Sequence, residues 1–252
     1  MVGCIVLLHS LMRAIRLTRA IPDLPRTDVR VLSPISTECA SIQPMPSLTP
    51  QDPQLAYKLL INMIVPRPIA FVSSISDKGI RNLAPFSFFT AVSANPPVIC
   101  FAPMRNALGE TKDTLNNIRA NGEFTVNIVS EDFAPQMNLC SGDYPSDVDE
   151  FAISGLTPLP SNFVQPARVG EAKASMECRL LQIIDISLQP LGGSLVLGTV
   201  LQFHIADDIL IGDSRIDPDK LHPIGRMGGP TYARTTDRFD LSRPVLQNTP
   251  TK

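Results

Sequence analysis

Residues 82–103 read NLAPFSFFTAVSANPPVICFAP and set Phe86, Phe88, Phe89 and Phe101 among Asn82, Ser87, Ser93 and the prolines at 85, 96, 97 and 103. In a chain of 252 residues with 11 phenylalanines, 3 tyrosines and no tryptophan, such a concentration of rings marks a core, and Phe88, Phe89 and Phe101 read that way. The polar residues and prolines need a different account. Asn82, Pro85, Ser87, Pro96 and Pro97 are expected to interrupt a strand, because proline brings no N–H to a ladder. An interrupted strand leaves N–H and C=O groups free to meet a flat heterocycle with its own donor and acceptor edge.

The elements around this stretch are short. On its N-terminal side, Asp52 can cap and Pro53 can open a helix whose apolar residues Leu55, Leu59, Leu60, Met63 and Ile64 recur at helical spacing, with Pro66 as its end. PIAFVSSIS (68–76) then alternates apolar and small polar residues as a strand does, and runs into a DKG turn where Gly79 can take positive φ. On the C-terminal side PPVICFAPM is a second strand. TKDTLNNIRANG (111–122) predicts a short helix capped by Asp113 or Thr114 and stopped at Asn121-Gly122. EFTVNIVS (123–130) is a third strand, and KASMECRLLQIIDISLQ and GSLVLGTVLQFHIADDIL flank PLGG as a long hairpin. Many close-set strands without a βα rhythm argue for a mainly β fold with short helices, a closed antiparallel barrel with helical insertions. No GxGxxG follows a strand, so a dinucleotide-binding sheet is not expected.

Charge and cysteine use narrow the function. With 22 basic and 24 acidic residues, the net charge of −2 offers no basic field for nucleic acid or a membrane surface, so a small-molecule substrate is the expected partner. Cys4, Cys39, Cys100, Cys140 and Cys178 are scattered and form no CxxC pair, which fits a reducing compartment rather than a disulfide or zinc framework. Residues 1–50 read as a leader and linker, 51–245 as the folded domain and 246–252 as a tail. Arg13, Arg16 and Arg19, with no acid before Asp23, have the composition of a mitochondrial targeting segment, and equally of an unselected leader on a cytoplasmic protein. His9, His204 and His222 lack metal spacing, no Ser/His/Asp arrangement stands out, and no metal is expected. The acid-rich SGDYPSDVDEF (141–151) reads as a solvated loop. The helix start at Lys112, Asp113 and Thr114 presents N–H groups, a positive dipole end and a lysine, a combination suited to phosphate.

Taken together, VPRPIAFVSSIS (65–76), GIRNLAPFSFFTAVSANPPVICFAP (79–103), KDTLNNIRANGEFTVNIV (112–129) and HPIGRMGGPTYART (222–235) resemble the flavin reductase-like proteins with an FMN-binding split barrel. The resemblance covers about residues 54–240. It implies FMN as cofactor, NADH or NADPH as electron donor, a homodimer, and in some settings a monooxygenase that receives the reduced flavin. It also implies a site: Arg67, Pro68, Val72, Ser73 and Ser74 along the flavin, and Asn82, Ala84, Pro85, Phe86 and Ser87 at ring and phosphate. Lys112, Asp113 and Thr114 would hold the phosphate, and Arg226 and Tyr232 would close the site. His222 is the candidate to approach the nicotinamide or flavin. Three activities stay open at this point: NAD(P)H-dependent flavin reductase, FMN-dependent oxidoreductase of a small metabolite, and electron carrier without turnover.

Overall fold

The computed structural model describes residues 46–244. The expected leader up to residue 45 and the tail 246–252 lie outside the described residues. Helix α1 (Pro53–Met63) comes first, and Asp52 caps it by accepting from the Gln54 N–H at 3.0 Å while Pro53 takes the first turn, as the sequence suggests. Strands β1 (Ala70–Ile75), β2 (Arg81–Phe86), β3 (Phe89–Ala94) and β4 (Pro97–Phe101) follow, then α2 (Asp113–Asn121) and β5 (Glu123–Ile128). Helices α3 (Ala134–Leu139) and α4 (Glu150–Ser154) and a small ribbon of β6 (Pro158–Leu159) and β7 (Arg168–Val169) precede the long hairpin of β8 (Ala174–Asp185) and β9 (Ser194–Ile205). Last come β10 (Leu210–Ile211), β11 (Arg215–Ile216), α5 (Pro218–Leu221), β12 (Ile224–Arg226) and β13 (Tyr232–Arg234).

Seven strands form one antiparallel sheet in the order β2-β1-β5-β8-β9-β4-β3. Strands β2 and β3 are consecutive in the chain yet lie at opposite edges. The chain bends at Ser87 and Phe88 to pass from one edge to the other, so the barrel is closed by the chain itself where the ladder is split. The interruption expected across 82–97 is therefore confined to this bend and to the Asn95–Pro96 hairpin turn. Pro85 sits inside β2 opposite Phe71 and breaks nothing. The Leu83 N–H points away from β1, to a carboxylate of Glu150 at 3.0 Å, and alternation turns the position of Pro85 outward too. A proline there removes no ladder bond, because it faces the open edge.

Two cores lie on the two faces of β1 and β5. Inside the barrel, Ala70, Val72, Ile99, Phe101, Phe124, Val126, Cys178 and Val196 pack together with Leu115 and Ile118 of α2. Phe101 stands edge-on to Phe124 at 5.6 Å and tilted to Phe86 at 5.2 Å, which ties the split edge into this core. Gly198 makes room for it: a Cβ there would lie 2.3 Å from the tip of the Phe124 ring. On the outer face Phe71, Leu83 and Val129 are covered by Phe133, Met137, Cys140, Phe151 and Ile224 from the short helices and β12. The outward residues of β5, Thr125 and Asn127, are covered by the β7 ribbon through the Ala167 carbonyl and the Val169 N–H, so β5 is buried on both faces instead of alternating with solvent.

Candidate functional site

The exposed edge of β2, the N-terminus of α2 and the segment from Cys140 to Ser146 enclose a cleft of about 820 Å³. Its volume suits a mononucleotide-sized ligand. Asn82, Ala84, Pro85 and Phe86 form one wall, Arg105, Asn106, Glu110 to Thr114 and Asn116 another, and Tyr144 and Glu150 contribute from the third side.

The cleft has a buried polar floor. Asn82, 8% exposed, accepts from Thr114 Oγ1 at 2.6 Å and from Ser74 Oγ at 3.1 Å, and donates to Glu150 Oε1 at 3.0 Å. Asn117 of α2 donates to Ser74 at 3.1 Å. Glu150 in turn holds the Leu83 N–H, and its neighbour Asp149 pairs with Arg81 at 2.5 Å. Burial pushes the Glu150 carboxyl above the usual carboxylate range, against the pull of the Leu83 N–H and the Asn82 amide. The loop expected to be solvated is thus anchored at its C-terminal end by Asp149 and Glu150. Among the described residues no His/Cys/Asp/Glu cluster is arranged for a metal.

The rim is less committed. Lys112, not Asp113 or Thr114, is the N-cap of α2, and its side chain makes no capping bond. Only Leu115 and Asn116 of the first turn find a backbone acceptor, both in the Lys112 carbonyl, so the N–H groups of Asp113 and Thr114 face the cleft end of the helix. Lys112 pairs across the mouth with the exposed Asp143. Burial raises the Asp113 carboxyl and Lys112 lowers it. Arg105 donates to the Gly109 carbonyl at 2.9 Å, but its Nε is a buried donor without a partner. Cys140 also borders the cleft, and burial pushes its thiol up to about 11, which makes it a packing residue and not a nucleophile.

A second recess of about 190 Å³ continues along β2, sharing Pro85 and Ser141 with the first and adding Tyr57, Ser87, Asn138, Arg226 and Tyr232. Here the structure separates residues that the sequence reading grouped. Arg226 lies over the Tyr232 ring, 4.5 Å from its centroid. Arg67 does not reach into a cleft: it is 5% exposed and donates to the carbonyls of Ile61 at 2.6 Å, Ile64 at 2.7 Å and Met227 at 3.0 Å, and to Ser87 Oγ at 3.2 Å. It locks the end of α1 to β12. Val72 faces the barrel core, Ser73 and Ser74 are fully buried, and Pro68 is exposed but borders neither recess. His222 borders neither recess as well. It caps α5 at φ 49° and lies 3.7 Å from Asp132. His204 is structural, 2.6 Å from the buried Glu177, which also accepts the N–H groups of Asn162 and Phe163.

Arg105, Asn106, Tyr144, Glu150, Tyr57 and Asn138 border the recesses and were not singled out by sequence. For Arg105 a signal existed: a charged residue four positions past the end of the buried strand β4, in MRNALGE, with Asn106 folding the turn through the N–H groups of Leu108 and Glu110. Tyr144 and Glu150 fall in the stretch 141–151, which the family resemblance implies helps shape access to the flavin, while for Tyr57 and Asn138 there was no signal, since their places depend on contacts distant in the chain.

Comparison with known proteins agrees with this architecture. Residues 63–215 match the flavin reductase like domain. A protein of Deinococcus radiodurans of uncharacterized function is 41% identical over 199 residues, 76% of this chain and 86% of that protein. The structure resembles nitrilotriacetate monooxygenase component B from Bacillus cereus, with TM-score 0.75, 36% identity and coverage of 79% of this chain and all 100% of that one. It also resembles 2-nitrobenzoate 2-nitroreductase NbaA from Pseudomonas fluorescens, with TM-score 0.70, 33% identity and coverage of 81% and 96%. The chain belongs to the flavin reductase-like family of split-barrel proteins. Its cleft fits the flavin phosphate such a family implies: unpaired N–H groups at the start of α2, a lysine and the orphan Arg105 Nε border it beside the edge of β2.

Proposed function

We propose that this protein is an NAD(P)H-dependent flavin reductase that uses FMN. The observation that carries this reading is the pairing of an open strand edge, β2, with an uncapped helix start, α2, across one cleft. In it the Asp113 and Thr114 N–H groups, Lys112, Thr111 and Arg105 would hold the phosphate, with Lys112 giving up its pair with Asp143 for the stronger anion. The backbone of Ala84 to Ser87 would meet the ring edge, where its fixed dipoles would favour the charge of the reduced ring. Bound FMN would accept a hydride from the nicotinamide, so the protein needs no acid–base pair of its own. The buried floor keeps β2 and α2 at a fixed separation, so the ring-binding and phosphate-binding parts of the cleft would be pre-positioned.

Likeness to the Bacillus cereus component B supports a role in supplying reduced flavin to a monooxygenase. A second reading, FMN-dependent reduction of a small organic molecule, is favoured by the recess beside Pro85. A homodimer is supported by α1, which buries no residue and exposes Leu60 (48%), Met63 (79%) and Ile64 (55%), more apolar surface than a lone helix face usually shows water. The described cysteines Cys100, Cys140 and Cys178 are free and buried, which supports a reducing setting such as the cytoplasm, and bacterial relatives such as the Deinococcus radiodurans protein lend no support to a mitochondrial leader. No helix among the described residues is long and apolar enough to cross a membrane.

The test is a visible spectrum of the FMN-loaded protein, followed by anaerobic addition of NADH and then NADPH. Bleaching of the flavin bands by one of them is expected and names the donor. Bands that persist with both would contradict the reductase reading and leave a carrier reduced by another protein.

A further inference from the structure

The recess bounded by Arg226, Tyr232 and Ser87 has a charge balance unlike the rest of the cleft. Its lining contains one cation and no acid. Behind it stands Arg67, also without a carboxylate partner among the described residues. The two guanidinium groups are close enough to repel: Arg67 is lowered by burial, then raised by Tyr57, and lowered again by Arg226. Arg67 satisfies its donors on three carbonyls and Ser87. Among the described residues the Arg226 side chain makes no hydrogen bond or ion pair and lies against the face of Tyr232. Arg226 is less buried than Arg67, so its guanidinium keeps donors that a ligand entering the recess can take.

We propose that this recess binds the carboxylate of a small, flat organic acid, with Arg226 as its anchor. Neighbouring polar groups are free to help. Ser87 Oγ accepts from Arg67 and keeps its own proton to donate, and Asn138 spends its carbonyl oxygen on Tyr232 Oη at 3.2 Å, leaving its amide N–H groups. Ile69, Met137 and Pro85 supply apolar walls. At about 190 Å³ the space lies below the roughly 300 Å³ where drug-sized pockets begin, so it fits one ring and not a dinucleotide. Because Pro85 and Ser141 belong to both recesses, an acid anchored there has its ring beside the flavin edge. This last step, which makes the acid a substrate or a modulator of the flavin, rests on the proposed FMN site.

Calorimetric titration of the full chain with benzoate and with its uncharged isostere benzamide, with and without FMN, tests the proposal. Benzoate is expected to bind at least about tenfold more tightly than benzamide, as a charge-assisted contact does. Arg226→Gln should bring the ratio to about one, Arg226→Lys should keep part of it, and Asn138→Ala, at an exposed helix position, should weaken benzoate about threefold. If the glutamine variant does not fold, the lysine and Asn138 variants carry the comparison. Equal affinity of the wild-type protein for both probes, or a ratio that survives Arg226→Gln, would overturn the proposal. FMN affinity is read in the same samples. Its absence, with the benzoate preference intact, would sink the cofactor reading and leave the anion recess standing.

Discussion

The floor and the rim of the cleft are both polar, but they spend their polarity differently. On the floor, Asn82, Ser74, Thr114, Asn117 and Glu150 bond to one another and to the Leu83 N–H. On the rim, Lys112 has only the exposed Asp143, Arg105 keeps an orphan donor and Arg226 rests on a ring. The floor therefore holds β2 and α2 in place, while the rim keeps donors open to the cleft. Buried polar groups that satisfy each other are costly to break, whereas exposed ones are cheap to change.

The largest effect should come from the floor. Asn82→Ala strips partners from Thr114, Ser74 and Glu150 together, and we expect a loss of about 3 kcal/mol in urea unfolding. A loss below about 1 kcal/mol would mean that water replaces the amide and that the floor is not a fixed support. Gly198→Val, placed far from the cleft, should cost a similar amount by driving a side chain into Phe124, with a melting temperature as the readout. The rim should behave in the opposite way. Lys112→Ala and Arg105→Ala are each expected to weaken FMN about tenfold while moving stability by less than about 0.5 kcal/mol. Equal losses in stability and affinity would erase the distinction between the two regions.

A smaller, signed effect concerns the two buried carboxylates. Burial holds Glu150 above the usual carboxyl value of 4.5, so the folded protein binds more protons than the unfolded chain between 4.5 and that raised value. Its contribution to stability must fall as pH rises through this window. Glu177 is also pushed up by burial, but the Asn162 N–H, His204 and the Phe163 N–H outweigh this and leave it below 4.5, so its contribution is present above 4.5 and lost as pH falls through the lowered value. Urea midpoints measured across pH for wild type, Glu150→Gln and Glu177→Gln should therefore diverge with opposite slopes. Parallel curves would contradict the assignment. The smallest effect is expected from removing residues 1–46: the shortened chain should bind FMN within about twofold of the full chain, since α1 and all cleft residues lie beyond the cut.

Elements set by neighbouring residues were legible in the sequence. The Asp52 cap, the Gly122 stop of α2 at φ 71° and the long β8–β9 hairpin follow from local pattern alone. Strand β2 was misread, because a proline inside a strand is harmless only at an open edge, and which strand is an edge is decided by pairing across the whole sheet. Arg67 and Ser74, which the family resemblance places along the flavin, have partners distant in sequence, Met227 and Asn117, so nothing local showed how firmly each is held. Glu150 lay hidden in an acid-rich stretch whose other members are mostly exposed.

A phosphate at the α2 end of the cleft and a flavin ring along the β2 edge can be separated by fluorescence titration of the protein with FMN and with riboflavin, side by side. FMN should bind at least about tenfold more tightly, because only FMN carries the phosphate that the rim donors would meet. Equal affinity for the two would contradict a phosphate at the α2 end.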